Sequence, residues 1–194
     1  MEHFVTAQLY AEENRAHHRR NARIGPRDGR RVCSPRSHRP GLWPFQEIGR
    51  PIADFLVGKP CRMYFAPFDV RLPRFVDEPN DDVETVVQPD IVVMCDRSKL
   101  DDRGARGAPD WIIEILSPST AVKDLKIKHE LYERHGVREL WFVHPTDRTV
   151  MVSVLGTDRA FGKPRFYGPE DKTSSSVLPD LEIDLMAVFA AAES

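Results

Sequence analysis

Cysteine is scarce in this 194-residue chain: Cys33, Cys61 and Cys95 stand far apart, with no CxxC pair. A zinc site is therefore not expected, and a sparse, odd set suits a reducing compartment. No apolar run approaches the length of a membrane span. The first residues include Glu2, Glu12 and Glu13 and no apolar segment of the kind a secretory signal needs. The expected location is the cytoplasm. Charge of one sign is also lacking: 28 Lys and Arg face 30 Asp and Glu, a formal net charge of −2. That balance exerts no global pull towards nucleic acid, although local basic patches and bound metal can still handle phosphate. There is no internal repeat. No GxSxG elbow surrounds Ser117 or Ser119, so neither reads as a nucleophile.

What is present is an ordinary globular composition, 41% hydrophobic and 30% charged, at a length that suits one domain. The charge is unevenly spread. Residues 1–50 hold ten arginines against five acids, leaving the remainder acidic. Residues 14–44 are rich in Arg, His, Pro and Gly and show no period of 2 or 3.6. Such a stretch buries too little apolar surface to offset its ordering entropy. Residues 1–44 are therefore read as an atypical, poorly ordered arm, or as a basic arm that touches nucleic acid. His17 and His18 in it could bind metal adventitiously. Residues 45–194 are read as the folded domain.

Within that domain a short helix is expected over Ile48–Val57, with Pro51 near its first turn. A strand-pair region follows at Met63–Leu72, then one strand over Val86–Cys95 and a polar loop over 96–109. Trp111–Leu116 reads as a strand, Ser117–Thr120 as a helix start with Ser119 or Thr120 as cap, and 121–135 as a helix stopped by Gly136. Strands are expected at Glu139–His144 and Thr149–Leu155, then a late strand and a C-terminal helix near 184–191. The order points to a mixed α/β or α+β domain with one main sheet.

Glu114 lies inside WIIEIL, and a carboxylate in an apolar strand is expensive without a partner or a metal. Phosphodiester hydrolysis needs paired hard oxygen ligands for Mg²⁺. Two Pro-Asp pairs offer the second acid. Asp110, four residues before Glu114 on the same strand, would stand about 13 Å away at roughly 3.3 Å per residue. Asp90 is on another strand, and neighbouring strands lie about 4.8 Å apart. Asp90 is therefore chosen, and Asp110 read as a strand-entry residue. The position two after Glu114, where a cation would share its face, is Leu116. On the following helix, Val122, Leu125, Ile127, Leu131 and Tyr132 form an apolar arc. Asp124 and Lys128, spaced i, i+4, fall inside that arc, whereas Lys126 lies on the solvated side. Periodicity leaves two readings of Lys128: a group that orients water or phosphate, or half of an internal pair with Asp124.

Other groups read as structural. Trp111 and Trp141 look like packing residues. His144, before a proline, looks like a strand-end residue, and Arg103 and Arg106 like solvated loop arginines that could touch phosphate. Asp69 in FDVRL could lie near the site.

The segments QPDIVVMCD, KLDDRGARGAPDWIIEILSPST and KDLKIKHELYERHGVRELWFVHP, within residues 88–145, resemble the bacterial Uma-type family of the PD-(D/E)xK nuclease superfamily. A weaker resemblance extends from about Ile52 to the C-terminus. The resemblance implies a restriction-endonuclease-like core, a central mixed sheet flanked by helices, and metal-dependent hydrolysis of DNA. It implies Asp90 and Glu114 as metal ligands, with the backbone carbonyl of Ile115 as a further ligand. It implies a lysine moved from strand to helix, which favours Lys128. Mg²⁺ is the implied cofactor, Mn²⁺ a substitute, and double-stranded DNA the partner; a homodimer would suit double-strand cutting. Residues 14–44 do not resemble the family. Phe45-Gln46-Glu47 stands near the family's longer helix, with Glu47 the nearby candidate for a helix-borne acid. The competing function is a catalytically impaired nucleic-acid-binding or interaction protein that retains the fold.

Overall fold

Three runs are apolar along almost their whole length, which is the mark of strands covered on both faces. They are β4 (Ile91–Met94), β7 (Trp111–Ile115) and β8 (Glu139–His144). A computed structural model places all three side by side. It describes residues 45–116 and 121–190. The chain divides into two units, Met1–Pro40 and Gly41–Ser194, and the described residues lie in the second. The arginine-rich stretch, with His17 and His18, and residues 117–120, with the expected caps, fall outside the described residues.

The main sheet adds β1 (Arg62–Phe65), β9 (Thr149–Val154) and β10 (Arg165–Tyr167). Its order is β1-β4-β7-β8-β9-β10. Only β7 and β8 run parallel, so the sheet is mixed. A parallel pair needs a crossover, and helix α2 (Ala121–His135) supplies it. A smaller four-stranded sheet is built from β2 (Val70–Arg71), β3 (Val86–Val87), β5 (Leu100–Asp101) and β6 (Gly104–Arg106), in the order β3-β2-β6-β5. Strands β11 (Lys172–Ser174) and β12 (Glu182–Asp184) pair separately. Helices α1 (Phe45–Phe55) and α3 (Leu185–Ala190) open and close the described fold.

Alternation along the central strands sends their side chains into two cores. Ile91, Val93, Trp111, Ile113 and Trp141 join Ile48 and Ile52 of α1 and Val188 and Phe189 of α3. Val92, Met94, Ile112, Leu140 and Phe142 join Tyr132 of α2 and Val70 and Leu72 of the small sheet. Asp90 and Glu114 share the parity of this second face. Gly49 lets α1 lie directly on β1, since a Cβ there would meet the Phe65 ring at 2.5 Å.

Four expectations are corrected. The helix expected over Ile48–Val57 runs from Phe45 to Phe55, so Pro51 lies inside it and not near its first turn. The strand expected over Val86–Cys95 is two strands, in different sheets, because Pro89 cannot donate to a ladder. The polar loop 96–109 contains β5 and β6; Arg103, between them, pairs with Asp81, and Arg106 donates to the carbonyls of Val76 and Glu78. Cys61 and Cys95, expected as free thiols, are joined in a disulfide. They flank the Arg62–Met94 pair, so the β1–β4 ladder sets them opposite each other.

Candidate active site

The antiparallel register of β4 and β7 pairs Ile91 with Ile113. Carried one residue further, it sets Asp90 beside Glu114 on one face of the sheet. The Asp90 Oδ2 accepts the backbone N–H of Ile115 at 2.6 Å. In extended chain the N–H and carbonyl of a residue point to the same side, so the Ile115 carbonyl also faces the Asp90 strand.

Glu114 is buried, 2% exposed, and both its oxygens are engaged from α2. Lys128 Nζ donates to Oε2 at 2.8 Å, and the Tyr132 hydroxyl donates to Oε1 at 2.5 Å. Residues four apart share one side of a helix, so a single face of α2 presents both donors to β7. Asp90, Glu114 and Lys128 are thus brought together. The side chain of Asp124 lies outside the described ones. Lys126 is on the solvated side as expected, near Glu130.

Burial raises the Glu114 carboxyl above its ordinary range, opposed by Lys128 and Tyr132 and assisted by the Asp90 charge. Burial likewise raises Asp90, opposed by the Ile115 N–H and Lys128. Two carboxylates facing each other, each costly to ionise, form an arrangement that a divalent cation would relieve.

Asp110 occupies the mirror position at the other end of the same strand pair. Its Oδ2 accepts the Cys95 N–H at 2.7 Å, and its Oδ1 accepts from Arg138 at 3.0 Å. The two Pro-Asp pairs thus perform one backbone task at opposite ends of β4 and β7. Asp110 spends its second oxygen on Arg138, whereas Asp90 Oδ1 has no hydrogen-bond partner among the described residues and stands beside Glu114.

The donor set fits a hard cation: two carboxylates and a nearby carbonyl, all oxygen. Among the described residues no cluster of three or more His, Cys, Asp or Glu could hold a metal.

The other candidates have partners of their own. Asp69 accepts from Gln88, and His144 lies 3.9 Å from Asp147. Glu47 lies 3.9 Å from Arg50 within α1. Trp111 and Trp141 pack edge to face in the first core. Tyr132 is the residue that sequence reading took for core alone. Its i, i+4 spacing from Lys128 was the available signal.

The same arrangement of strands is found in known proteins. A putative nuclease belonging to DUF820 from Anabaena variabilis shares the fold, with a TM-score of 0.60 at 18% identity over 80% of this chain and 83% of that one. No curated protein gives a significant match. The family Uma2, described as "Putative restriction endonuclease", matches residues 14–186. That match begins inside the arginine-rich stretch, which sequence reading had set outside the resemblance. With most of its length matched, the chain belongs to the Uma2 restriction-endonuclease family.

Proposed function

We propose that the protein is a Mg²⁺-dependent endonuclease that hydrolyses phosphodiester bonds of double-stranded DNA. The observation that carries this reading is the juxtaposition of Asp90 and Glu114 at one end of β4 and β7, with the Lys128 ammonium 2.8 Å from Glu114. Asp90, Glu114 and the Ile115 carbonyl would hold the ion, and Mn²⁺ could replace it. When bound, the metal supplies Lewis-acid polarisation of the phosphoryl oxygens and of a water. Lys128 orients the attacking water or stabilises the charge that grows on those oxygens. The water oxygen bonds to phosphorus as the bond to one sugar oxygen breaks. The water gives up a proton, and the leaving oxygen takes one up.

Two sites acting together on two strands would make a homodimer useful. The expected cytoplasmic location belongs to this reading. The Cys61–Cys95 pair stands against it, since disulfides are rare there. No helix among the described residues is long and apolar enough to cross a membrane.

A plasmid-nicking assay over a range of Mg²⁺ and Mn²⁺ tests the proposal. The wild type should nick, and Asp90→Ala should fall to background. Folded wild type that cuts under none of these conditions would sink the enzyme reading. That outcome would leave the other reading, a binding protein that keeps the fold. Its signature is duplex binding with a steep salt dependence and no cleavage.

A further inference from the structure

The two partners of Glu114 differ in burial. Tyr132 is fully buried, and its ring is part of the second core. Lys128 has a side chain 21% exposed on a flexible four-carbon stem. A hydroxyl fixed by a ring packed in the core holds its acceptor at one place. The 2.5 Å separation is that of a hydroxyl donating to a charged oxygen, which is among the stronger hydrogen bonds. A buried tyrosine hydroxyl needs some acceptor in any case. Here the acceptor is a carboxylate set beside a second one.

We propose that Tyr132 is a positioning residue that holds Glu114 by Oε1, so that Oε2, now paired with Lys128, is the oxygen presented to the metal. This rests on the metal-site reading above. A cation held at Oε2 would take the place of Lys128 there and leave the ammonium to the phosphate. Tyr132 stays in place and prevents the carboxylate from turning to bind through both oxygens.

The test is Mn²⁺ binding to the full chain, followed by electron paramagnetic resonance, for wild type and Tyr132→Phe. Removing a group that orients a metal ligand costs about 10–100-fold in affinity. Tyr132→Phe should weaken Mn²⁺ by that factor, and raise the Mg²⁺ concentration for half-maximal nicking more than it lowers the maximal rate. A role confined to packing would lower the melting temperature and leave the Mn²⁺ affinity alone. If Tyr132→Phe does not fold, infrared difference spectra of ¹³C-glutamate-labelled wild type with and without Mg²⁺ decide. A widely split pair of carboxylate stretches reports one-oxygen binding and supports the proposal; a narrowly split pair reports two-oxygen binding and overturns it. Wild type that binds no Mn²⁺ overturns the metal site and this inference together. Equal Mn²⁺ affinity of wild type and a folded Tyr132→Phe overturns this inference alone.

Discussion

Asp90 and Asp110 each accept a backbone N–H from the neighbouring strand, at 2.6 and 2.7 Å. Spacing along and between strands separates them correctly, because one residue of β-register fixes which acid can face Glu114. The separation has a cost that pH exposes. Asp90 and Glu114 both have carboxyls raised by burial. As pH climbs past the ordinary carboxylate range near ~4, the unfolded chain releases these protons first. The folded state then holds more protons, so stability falls with rising pH until the raised folded values are passed. Asp90→Asn keeps an acceptor for the Ile115 N–H and removes one of the facing charges. At pH 8 it should melt above wild type by about 2–4 °C, the shift that ~1 kcal/mol gives at this length. The gap should close near pH 4. Melting curves of both proteins at the two pH values check this, and a gap that widens on acidification contradicts it. Tyr132 was not legible as part of the site, because a tyrosine in an apolar arc gives no sign of where its hydroxyl points. Only the α2–β7 packing decides that.

Long elements were legible and short ones were not. The helix 121–135 and the strands at 111, 139 and 149 have enough apolar residues for a period to show. Strands β5 and β6 are two or three residues long, in polar sequence, and exist because β2 and each other lie alongside. No periodicity can reveal a pairing made at long range. The same limit applies to buried acids. Glu139, at the start of β8, is as buried as Glu114 and does different work. Its carboxylate accepts from Trp141 Nε1, the Ser175 hydroxyl, and the Ser176 N–H and hydroxyl, and so ties the segment after β11 to the main sheet. A carboxylate in an apolar strand therefore does not by itself mark a metal site. A facing acid and a lysine distinguish Glu114; neutral donors on every side distinguish Glu139. Glu139→Ala should leave those donors without an acceptor, at about 1–3 kcal/mol for each one that stays buried. Thermal melts should show a loss well beyond that of Glu139→Gln, which retains a carbonyl. Nicking by the folded fraction should be unchanged. Selective loss of nicking at full stability would place Glu139 in the site after all.

At the scale of the whole molecule, the site joins central strands to the core beneath α2. Asp90 and Glu114 stand at the ends of central strands, and Tyr132 belongs to the core beneath α2. Fraying of a loop cannot open such a site, so ligand binding there must be linked to the global unfolding transition. A cation that binds only the folded state stabilises it by RT ln(1 + [L]/Kd), about 1.4 kcal/mol at ten times Kd. For a chain of this length that is a rise of about 3–6 °C in Tm. Mg²⁺ should therefore raise the melting temperature of wild type and leave Asp90→Asn and Glu114→Gln almost unmoved. Diffuse attraction of Mg²⁺ to surface acids, such as those of residues 77–84, is untouched by either substitution. An equal Mg²⁺ shift in all three proteins would locate the ion away from Asp90 and Glu114, and the metal role of both would be withdrawn. A shift confined to wild type joins the two carboxylates, the cation and the stability of the fold in one equilibrium. It does so whether or not a DNA substrate has been found.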